Sequence, residues 1–522
     1  MASSEAAELR STTIVRNTWV LYLRMLFTIA LQFFISRMTL KLLGVSDFGI
    51  YNVIGGMTGM FTTLTGALGA ATQRFLSYAL GKRSASELNS VLFFAIFIHI
   101  GLAFLLIVLC ECIGLWLLNH KLNIPAERMY AARWVLQFTI LSCSITLAAI
   151  PFYALMIAHE NMKPFAFITL GDGVIKSLGI ITLMHISADY LICYAALYSF
   201  VSLSVNLCYF IYCLRHYPEV HVKRSSDVGQ VWRMFSFSGW TLFSAIAGIC
   251  RSQGINVLLN IFFSTIVNAA RGIAYQVSGI ISGFVLNFQL ALNPQLVKSH
   301  AEGDQKYFFQ LIFSGCRISY FLLFVLSIPL LFEMPTAIRL WLGIIPPYSV
   351  LFCRLALTNA LVDTVSGPLN IAINAGGRVR GFNIVVGGLL IMNLPISYLL
   401  LKLGGPPEIT FYVIITLQLV ALAARLAFCR MLLHLPIRHF IVDVLARVLG
   451  CTILVGVLTL LYSMFLSRFA LGEFGKLLLF VPGAMIISLL VIFLLGINFR
   501  EKDYLFKALS NFMQRHHIKK FS

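Results

Sequence analysis

Charged residues are scarce in this chain. They account for 11% of its 522 residues, whereas a soluble globular protein carries roughly 25%. Hydrophobic residues make up 59% of the sequence, so too few polar side chains remain to cover a water-facing surface. The composition therefore excludes a soluble globular protein and indicates a chain that lies largely within a membrane.

Acidic residues are the scarcer of the two signs of charge. The chain has 20 Asp and Glu against 39 Lys and Arg, which gives a formal net charge of +19. Such an excess is typical of nucleic-acid binding or of the cytoplasmic loops of a membrane protein. About 22 basic residues fall on one side of the apolar segments and about 8 on the other. We therefore expect the first side to be cytoplasmic, with both termini there, and no nucleic-acid partner.

Sequence features of several enzyme classes are missing. The sequence has no G-x-x-x-x-G-K-[ST] loop, which excludes a P-loop ATPase. The longest outward connections, around 119–133 and 334–348, offer no acid/base pair, which disfavours a membrane glycan polymerase or ligase. Most of the 11 cysteines lie inside apolar segments, and the close pair Cys110 and Cys112 has no second ligand pair. We expect neither an enzyme nor a metal site.

Long apolar segments fill most of the chain. A membrane-spanning helix needs roughly 20 apolar residues, and about fourteen such segments occur. We therefore predict an all-α polytopic membrane protein. The predicted spans are 18–43, 47–72, 88–118, 130–156, 163–184, 190–213, 236–262, 267–297, 307–333, 347–374, 378–401, 408–433, 440–466 and 475–498.

Two parts of the chain resemble each other at an offset of about 222 residues. This shift aligns Gln73 with Gln295 and Gly81 with Gly303. Because an offset of six helices preserves orientation, we predict two parallel six-helix repeats followed by two C-terminal helices. The predicted divisions are an N-terminal cytoplasmic segment 1–17, a first half 18–213, a linker 214–235, a second half 236–433, two additional helices 434–498 and a basic tail 499–522.

The tenth predicted span carries a polar stripe. Asn359, Asp363, Ser366, Asn370 and Asn374 fall within an arc of about 80° on a regular helix. Amides in such a stripe either bond neighbouring helices together or line a cavity, and a carboxylate in the middle favours the cavity. We predict the three asparagines as substrate contacts and Asp363 as an ion or proton carrier or the partner of an arginine.

The first predicted span combines an arginine with other polar side chains. Arg24, Thr28, Gln32 and Thr39 share one face within about 80°. Arg37 lies on another face, where we expect its side chain to extend to the outer interface. We predict Arg24 and Gln32 as substrate contacts, although Arg24 is close enough to the inner end to extend to the inner interface instead.

The seventh span carries a second set of amides. Gln253, Asn256 and Asn260 share a face, whereas Arg251 points away from them. The amides either line a cavity or pack against a neighbouring helix. We predict Asn256, Asn260 and Arg251 as substrate contacts, and we place Arg271 at the outer interface near the start of the eighth span.

Other charges lie alone or in one close pair. Asp172 and Lys176 stand one helical turn apart, which predicts either an ion pair that neutralises itself or a role of Asp172 in ion coupling. For Arg317, Arg354 and Arg425 the sequence suggests no partner.

Several motifs carry a family resemblance. They are the run 43–51 (LGVSDFGIY), the pair Gly55-Gly56 and the run 72–75 (TQRF). Together with the span count and the parallel halves, they resemble the polysaccharide flippase branch of the multidrug/oligosaccharidyl-lipid/polysaccharide exporter superfamily.

The resemblance implies an alternating-access flippase that moves an undecaprenyl-pyrophosphate-linked oligosaccharide across the bacterial inner membrane for capsule, O-antigen or exopolysaccharide assembly. It implies a cavity whose basic residues receive the pyrophosphate; Arg24 matches the helix-1 arginine of such flippases, and Arg251 has a looser counterpart. We expect no cofactor, coupling to Na⁺ or H⁺, contacts with membrane lipids and other glycan assembly proteins, and a monomer. The alternative is an ion-coupled multidrug or cation exporter of the same superfamily.

Overall fold

The computed structural model describes residues 27, 29–55, 69, 72–73, 75–76, 79–80, 85–159, 162–220, 253–301, 303–375, 380–469, 472–498 and 502. The elements of these residues are helices and their connections, with no strand in the described part of the chain. Eleven helical segments among the described residues are long and apolar enough to cross a membrane, and two of them, Ser349–Asn374 and Gly381–Lys402, contain a break. The predicted class, an all-α polytopic membrane protein, is confirmed.

The helices are numbered here in chain order. They are α1 Ile29–Gly55, α2 Ala85–Leu109 with its continuation to His120, α3 Met129–Ala158, α4 Met162–Leu183, α5 Tyr190–His216, α6 Gln253–Phe262, α7 Thr265–Ala301, α8 Gln305–Leu342, α9 Ser349–Thr364, α10 Ser366–Ala375, α11 Arg380–Ile391, α12 Asn393–Lys402, α13 Ile409–Leu433, α14 Ile437–Leu466 and α15 Glu473–Val491, continued by Ile492–Gly496.

Most predicted spans agree with these helices to within a few residues, and the first, ninth, tenth and eleventh differ in an informative way; most of the second and seventh spans lies outside the described residues. Helix α1 continues past the predicted end of the first span, with Gly44 at φ +72°. A residue in the left-handed region cannot continue a right-handed helix, so the chain turns at Gly44, where we predicted the first outward loop. The tenth span is divided at Val365 and the eleventh at Met392.

Helix α8 kinks where the ninth span was predicted to end. Glu333 has φ −100° and ψ 29°, and the helix then continues to Leu342. Pro335, two residues further on, has no backbone N–H and cannot donate to the carbonyl of Leu331 four residues before it. The kink therefore has a cause in the sequence.

The described contacts divide the chain into two compact units that alternate along the sequence. Unit 1 comprises Met1–Gly272, Trp341–Tyr348 and Leu394–Pro407, and unit 2 comprises Ile273–Leu340, Ser349–Asn393 and Glu408–Ser522. These units are defined by contacts and not by sequence repeats. The two six-helix halves and the other predicted divisions therefore stay a prediction.

Unit 1 joins the N-terminal helices to α6 and the start of α7. Helix α3 packs between α2 and α5 around a core that includes Leu92, Ala154 and Leu155. The turn after Gly44 approaches α7 so closely that a Cβ atom on Gly49 would lie 1.9 Å from the carbonyl oxygen of Thr265. Only glycine fits at that point.

Unit 2 is arranged around α8 and α13. Helix α13 packs against α9, α10 and α11, and α14 packs against α15. A small apolar cluster of Leu466, Phe480 and Ala484 joins α14 and α15, with Phe332 of α8 packed against it. The polar stripe predicted for the tenth span lies in this unit, on α9 and α10.

Candidate functional site

The polar stripe is divided by a break between α9 and α10. Pro368 in the first turn of α10 has no N–H to donate to the carbonyl of Thr364. Gln289 of α7 supplies the missing donor, with its Nε2 atom 3.3 Å from the Thr364 carbonyl oxygen and 3.2 Å from Ser319 Oγ. Gly367 leaves room for this amide, since a Cβ atom there would lie 2.3 Å from Gln289 Nε2. Helix breaks of this kind occur at membrane depth where polar groups re-satisfy the backbone.

A buried arginine lies against the same break. Arg425 of α13 is 4% exposed. Its Nε atom donates to Asn370 Oδ1 at 3.1 Å, and its guanidinium also donates to Ser366 Oγ at 3.0 Å and to Gln418 Oε1 at 3.4 Å. For this arginine the sequence suggested no partner, because the three acceptors lie on a different helix or two turns away.

The other residues of the polar stripe, Asn359, Asp363 and Asn374, form no hydrogen bond with Arg425. Asp363 and Asn374 are exposed, and no hydrogen bond or ion pair joins Asp363 to another described residue. Asn359 has a buried Oδ1 atom with no hydrogen-bond partner in the described part of the chain. The stripe therefore has an arginine-bound part, Ser366 and Asn370, and an open part around Asp363.

Asp172 and Lys176 form the ion pair that their spacing predicted. The Lys176 Nζ atom lies 2.8 Å from Asp172 Oδ2 and 5.1 Å from the centre of the Tyr198 ring. Tyr198 packs against Tyr194, whose hydroxyl oxygen accepts a hydrogen bond from Thr39 at 3.3 Å. These contacts place the carboxylate of Asp172 in an aromatic and polar part of unit 1.

The amides of α6 bond to groups within and beside this helix. Asn260 is fully buried and its Oδ1 atom accepts from the backbone N–H of Asn123 at 2.8 Å. Asn256 donates to Gln253 Oε1 at 2.7 Å, and its own carbonyl accepts from Asn268 at 2.7 Å. Asn260 and the backbone of Asn256 therefore contribute to contacts beyond α6, and substrate contact by Asn256 and Asn260 stays a prediction.

Four further side chains that the sequence singled out are Arg271 and Gln32, which the structure describes, and Arg24 and Arg251, which it does not. Arg271 is only 4% exposed and packs inside unit 1, and its position at the outer interface stays a prediction. Gln32 is exposed on α1. Arg24 and Arg251 lie outside the described residues.

Two further arginines bind backbone carbonyls. Arg354 of α9 donates to the carbonyls of Leu331 and Phe332 at 2.8 and 3.2 Å. Arg317 of α8 is 2% exposed and donates to the carbonyl of Asp443 at 2.9 Å. Pro335 was the signal that could have suggested an acceptor for Arg354, since a proline frees a carbonyl. For Arg317 the acceptor lies in a π-helical turn, which sequence patterns do not reveal.

An ion-pair cluster that joins the turn after Gly44 to the starts of α3 and α5 was missed by the sequence reasoning. Arg128 donates to both Asp47 and Asp189, the latter at 2.7 Å. Burial raises the pKa of Asp189, but hydrogen bonds from Arg128 and from the backbone of Ile192 outweigh it, so the pKa is lowered from its ordinary value. Asp189 also caps the start of α5. No group of three or more His, Cys, Asp or Glu side chains able to hold a metal is found among the described residues.

Comparison with solved structures identifies the fold. The lipid II flippase MurJ in an inward closed conformation superposes with a TM-score of 0.64 at 15% identity, covering 90% of this chain and 97% of that one. An inward-facing multidrug resistance MATE transporter of the MOP superfamily gives 0.60 at 9% identity, covering 79% and 95%. A MOP superfamily transporter from Pyrococcus furiosus gives 0.54 at 10%, covering 78% and 94%.

Sequence comparison is informative over the first part of the chain. The family model described as polysaccharide biosynthesis protein matches residues 14–300. No curated protein sequence matches the chain.

Proposed function

Because the chain belongs to the polysaccharide biosynthesis protein family, we propose that it is an alternating-access flippase for an undecaprenyl-pyrophosphate-linked oligosaccharide. The resemblance to the MOP superfamily is confirmed by family and fold, and the structures that share this fold are a flippase and transporters, not enzymes. This agrees with the expectation that the chain is not an enzyme.

The broken polar helix is the observation that carries the proposal. A pyrophosphate with polar sugars cannot cross roughly 30 Å of hydrocarbon unaided. Polar groups at a helix break can replace its lost hydration, and a guanidinium can neutralise phosphate. Arg425, Ser366 and Asn370 place such groups at the break in unit 2.

The proposed roles of the predicted residues follow from their contacts. We assign substrate contact to Arg24, Gln32, Arg251, Asn359 and Asn374. Residues that hold other side chains would act indirectly: Asn370 through Arg425, and Asn256 and Asn260 through the packing of α6.

Asp363 is the proposed ion-coupling carboxylate. It is exposed in an apolar helix and lies beside the break, without a hydrogen bond to another described residue. Asp172, which is paired with Lys176, is the second candidate. Movement of one charge along the membrane potential supplies roughly 2.3 kcal/mol per 100 mV, and the proposed ion is Na⁺ or H⁺.

The proposed setting is the bacterial inner membrane, with both termini in the cytoplasm. The multi-pass character is a property of the fold, and the excess of basic residues on one side supports the orientation. The proposed partners are the lipid-linked glycan, membrane lipids and other glycan assembly proteins, with the chain acting as a monomer.

Substitution of Asp363 tests the proposal. In Asp363→Asn we expect normal protein abundance in the membrane and accumulation of lipid-linked glycan in the inner leaflet, measured by its protection from a membrane-impermeant glycosidase. Asp304→Asn is the matched control, because Asp304 is an exposed carboxylate at the start of α8 whose Oδ1 accepts from the Tyr307 N–H at 3.0 Å, a contact that asparagine preserves.

One result would contradict the role of Asp363, and another would contradict the flippase function itself. Normal glycan distribution in Asp363→Asn removes Asp363 from the mechanism. Normal surface glycan in a strain that lacks the whole protein excludes the flippase.

An ion-coupled exporter of cationic compounds is the second candidate. Its support is the fold shared with the multidrug resistance MATE transporter at a TM-score of 0.60, together with the open carboxylate of Asp363. Loss of the protein would then sensitise cells to cationic dyes and leave surface glycan unchanged.

A further inference from the structure

The kink in α8 is tied to two other helices of unit 2. Pro335 leaves the carbonyl of Leu331 without a helical donor, and the non-helical geometry of Glu333 disturbs the same turn. Arg354 of α9 donates to the carbonyls of Leu331 and Phe332 at 2.8 and 3.2 Å. The kink and the beginning of α9 are therefore held together through backbone acceptors.

The side chain at the kink is held by the C-terminal helix pair. Glu333 Oε1 lies 2.6 Å from the Nζ atom of Lys476 on α15. Its other oxygen accepts from Thr336 Oγ1 at 2.9 Å. The Glu333 side chain is 10% exposed and that of Lys476 is 32% exposed, so the pair lies at the edge of the packed region, where partial burial strengthens it relative to a surface pair.

Helices α14 and α15 are fixed along the same face of α8. Tyr320 bonds Thr452 of α14 at 2.9 Å, and Arg317 bonds the carbonyl of Asp443. A Cβ atom on Gly496 of α15 would lie 2.7 Å from the ring of Phe321. The C-terminal pair α14 and α15 is therefore a packed part of unit 2, and the first turn of α15 contacts the kink of α8 through Lys476.

Helix α9 connects the kink to the polar break. Arg354 lies near its beginning and Asp363 near its end, about 14 Å apart along the axis, with no proline or glycine between them. A displacement of α9 at Arg354 is therefore carried to Asp363 and to the break at Val365.

We propose that the Glu333–Lys476 pair is a positioning device for Asp363: it holds the kink of α8, which holds Arg354 and thereby sets the place of the α9–α10 break. The C-terminal helix pair thus takes part in transport by positioning, and the residues concerned do not touch the substrate. This inference rests on the proposed function of Asp363, and its test includes a measurement that does not depend on transport.

Hydrogen–deuterium exchange of the full-length protein in lipid nanodiscs tests the connection. In Lys476→Met we expect amide exchange across 354–370 to rise about threefold or more, with lower flippase activity and normal abundance. Lys476→Arg keeps the charge and should restore both. Lys402→Met is the control, since Lys402 is an exposed lysine at the end of α12 with no ion pair to a described residue.

The outcomes separate the inference from the proposed function. Faster exchange confined to the first turns of α15 around 473–480, or an equal effect in Lys402→Met, overturns the positioning role. Faster exchange across 354–370 that Lys476→Arg reverses supports it, even in a protein that proves not to move lipid-linked glycan.

Discussion

Arg425 shows how a charge is accommodated in unit 2. It is 4% exposed, and neutral oxygens of Ser366, Asn370 and Gln418 accept its hydrogen bonds. A buried guanidinium is costly unless its donors are satisfied, and removing it leaves the acceptors without donors. The same residues therefore stabilise the fold and place positive charge at the helix break.

We expect Arg425→Met to lower the free energy of unfolding by about 2–4 kcal/mol, because two buried acceptors, Ser366 and Gln418, and the half-buried Asn370 lose a donor. Arg425→Lys should cost less, since one ammonium keeps the charge but cannot reach all three oxygens. Unfolding of the purified protein in mixed micelles measures both. Equal stability of wild type and Arg425→Met would contradict the assigned hydrogen bonds.

Asp189 gives a prediction for pH. Its pKa is lowered by the hydrogen bonds from Arg128 and the backbone, against the effect of burial. A carboxyl with a lowered pKa stabilises the fold above its unfolded pKa of about 3.9, and the contribution is lost as the pH falls below that value. The melting temperature of wild type should therefore fall more steeply than that of Arg128→Gln when the pH is lowered from about 5 to 3. Parallel curves would contradict this.

Among the helices, the break between α9 and α10 is the feature on which the proposed transport site depends. Pro368 frees the Thr364 carbonyl, Gln289 supplies its donor, and Gly367 admits the Gln289 amide. Each residue has a role only in combination with the others. A helix break lined by polar groups, with the carboxylate of Asp363 near one side of it, is typical of transporter sites.

Gly367→Ala should displace the Gln289 amide, because the new Cβ would lie 2.3 Å from its Nε2 atom. Gln289 has a flexible side chain, so we expect the protein to fold with a loss of about 1–2 kcal/mol from the unsatisfied Thr364 carbonyl. Gly388→Ala in α11 meets no atom within 4 Å and serves as the control. Equal thermal stability of the two variants would show that the Gln289 contact contributes nothing.

At the scale of the whole molecule, unit 1 combines segments from both predicted halves. Ser46 Oγ lies 3.4 Å from Thr265 Oγ1, and Trp341 Nε1 donates to the carbonyl of Phe33 at 3.0 Å. Gly49 lies against the backbone of Thr265 without room for a side chain. If the two predicted halves rock against each other as we propose, we expect the contacts between the turn after Gly44 and the start of α7 to separate in each transport cycle.

A disulfide between Ser46→Cys and Thr265→Cys should therefore stop transport. The hydroxyl oxygens, which the two sulfur atoms would replace, are 3.4 Å apart, so a small side-chain shift brings the sulfur atoms to the bond length of about 2.0 Å. We expect oxidation to abolish glycan translocation and a reductant to restore it, and each single cysteine variant to be insensitive to oxidant. Full transport by the cross-linked protein would contradict the required separation.

Runs of apolar residues predict the limits of the membrane-spanning helices well. Helices such as α3, α5 and α13 begin and end close to the predicted limits, because about 20 apolar residues are needed to cross hydrocarbon. The ion pair of Asp172 with Lys176 was equally accessible, since both lie one turn apart on one helix. The burial of Arg271 was not accessible from the sequence, because its distance along the chain from a helix start does not reveal which neighbour covers that turn.

The sequence by itself determined where helices run, where prolines and glycines interrupt them, and which polar residues share a face, because these depend on spacing along one chain. Only the tertiary structure decided the partners: Arg425 with Ser366 and Asn370, Arg354 with the carbonyls of α8, Glu333 with Lys476. The physical reason is that a membrane-embedded charge is stabilised by groups within about 3 Å. Those groups lie on other helices, whose packing no local pattern specifies.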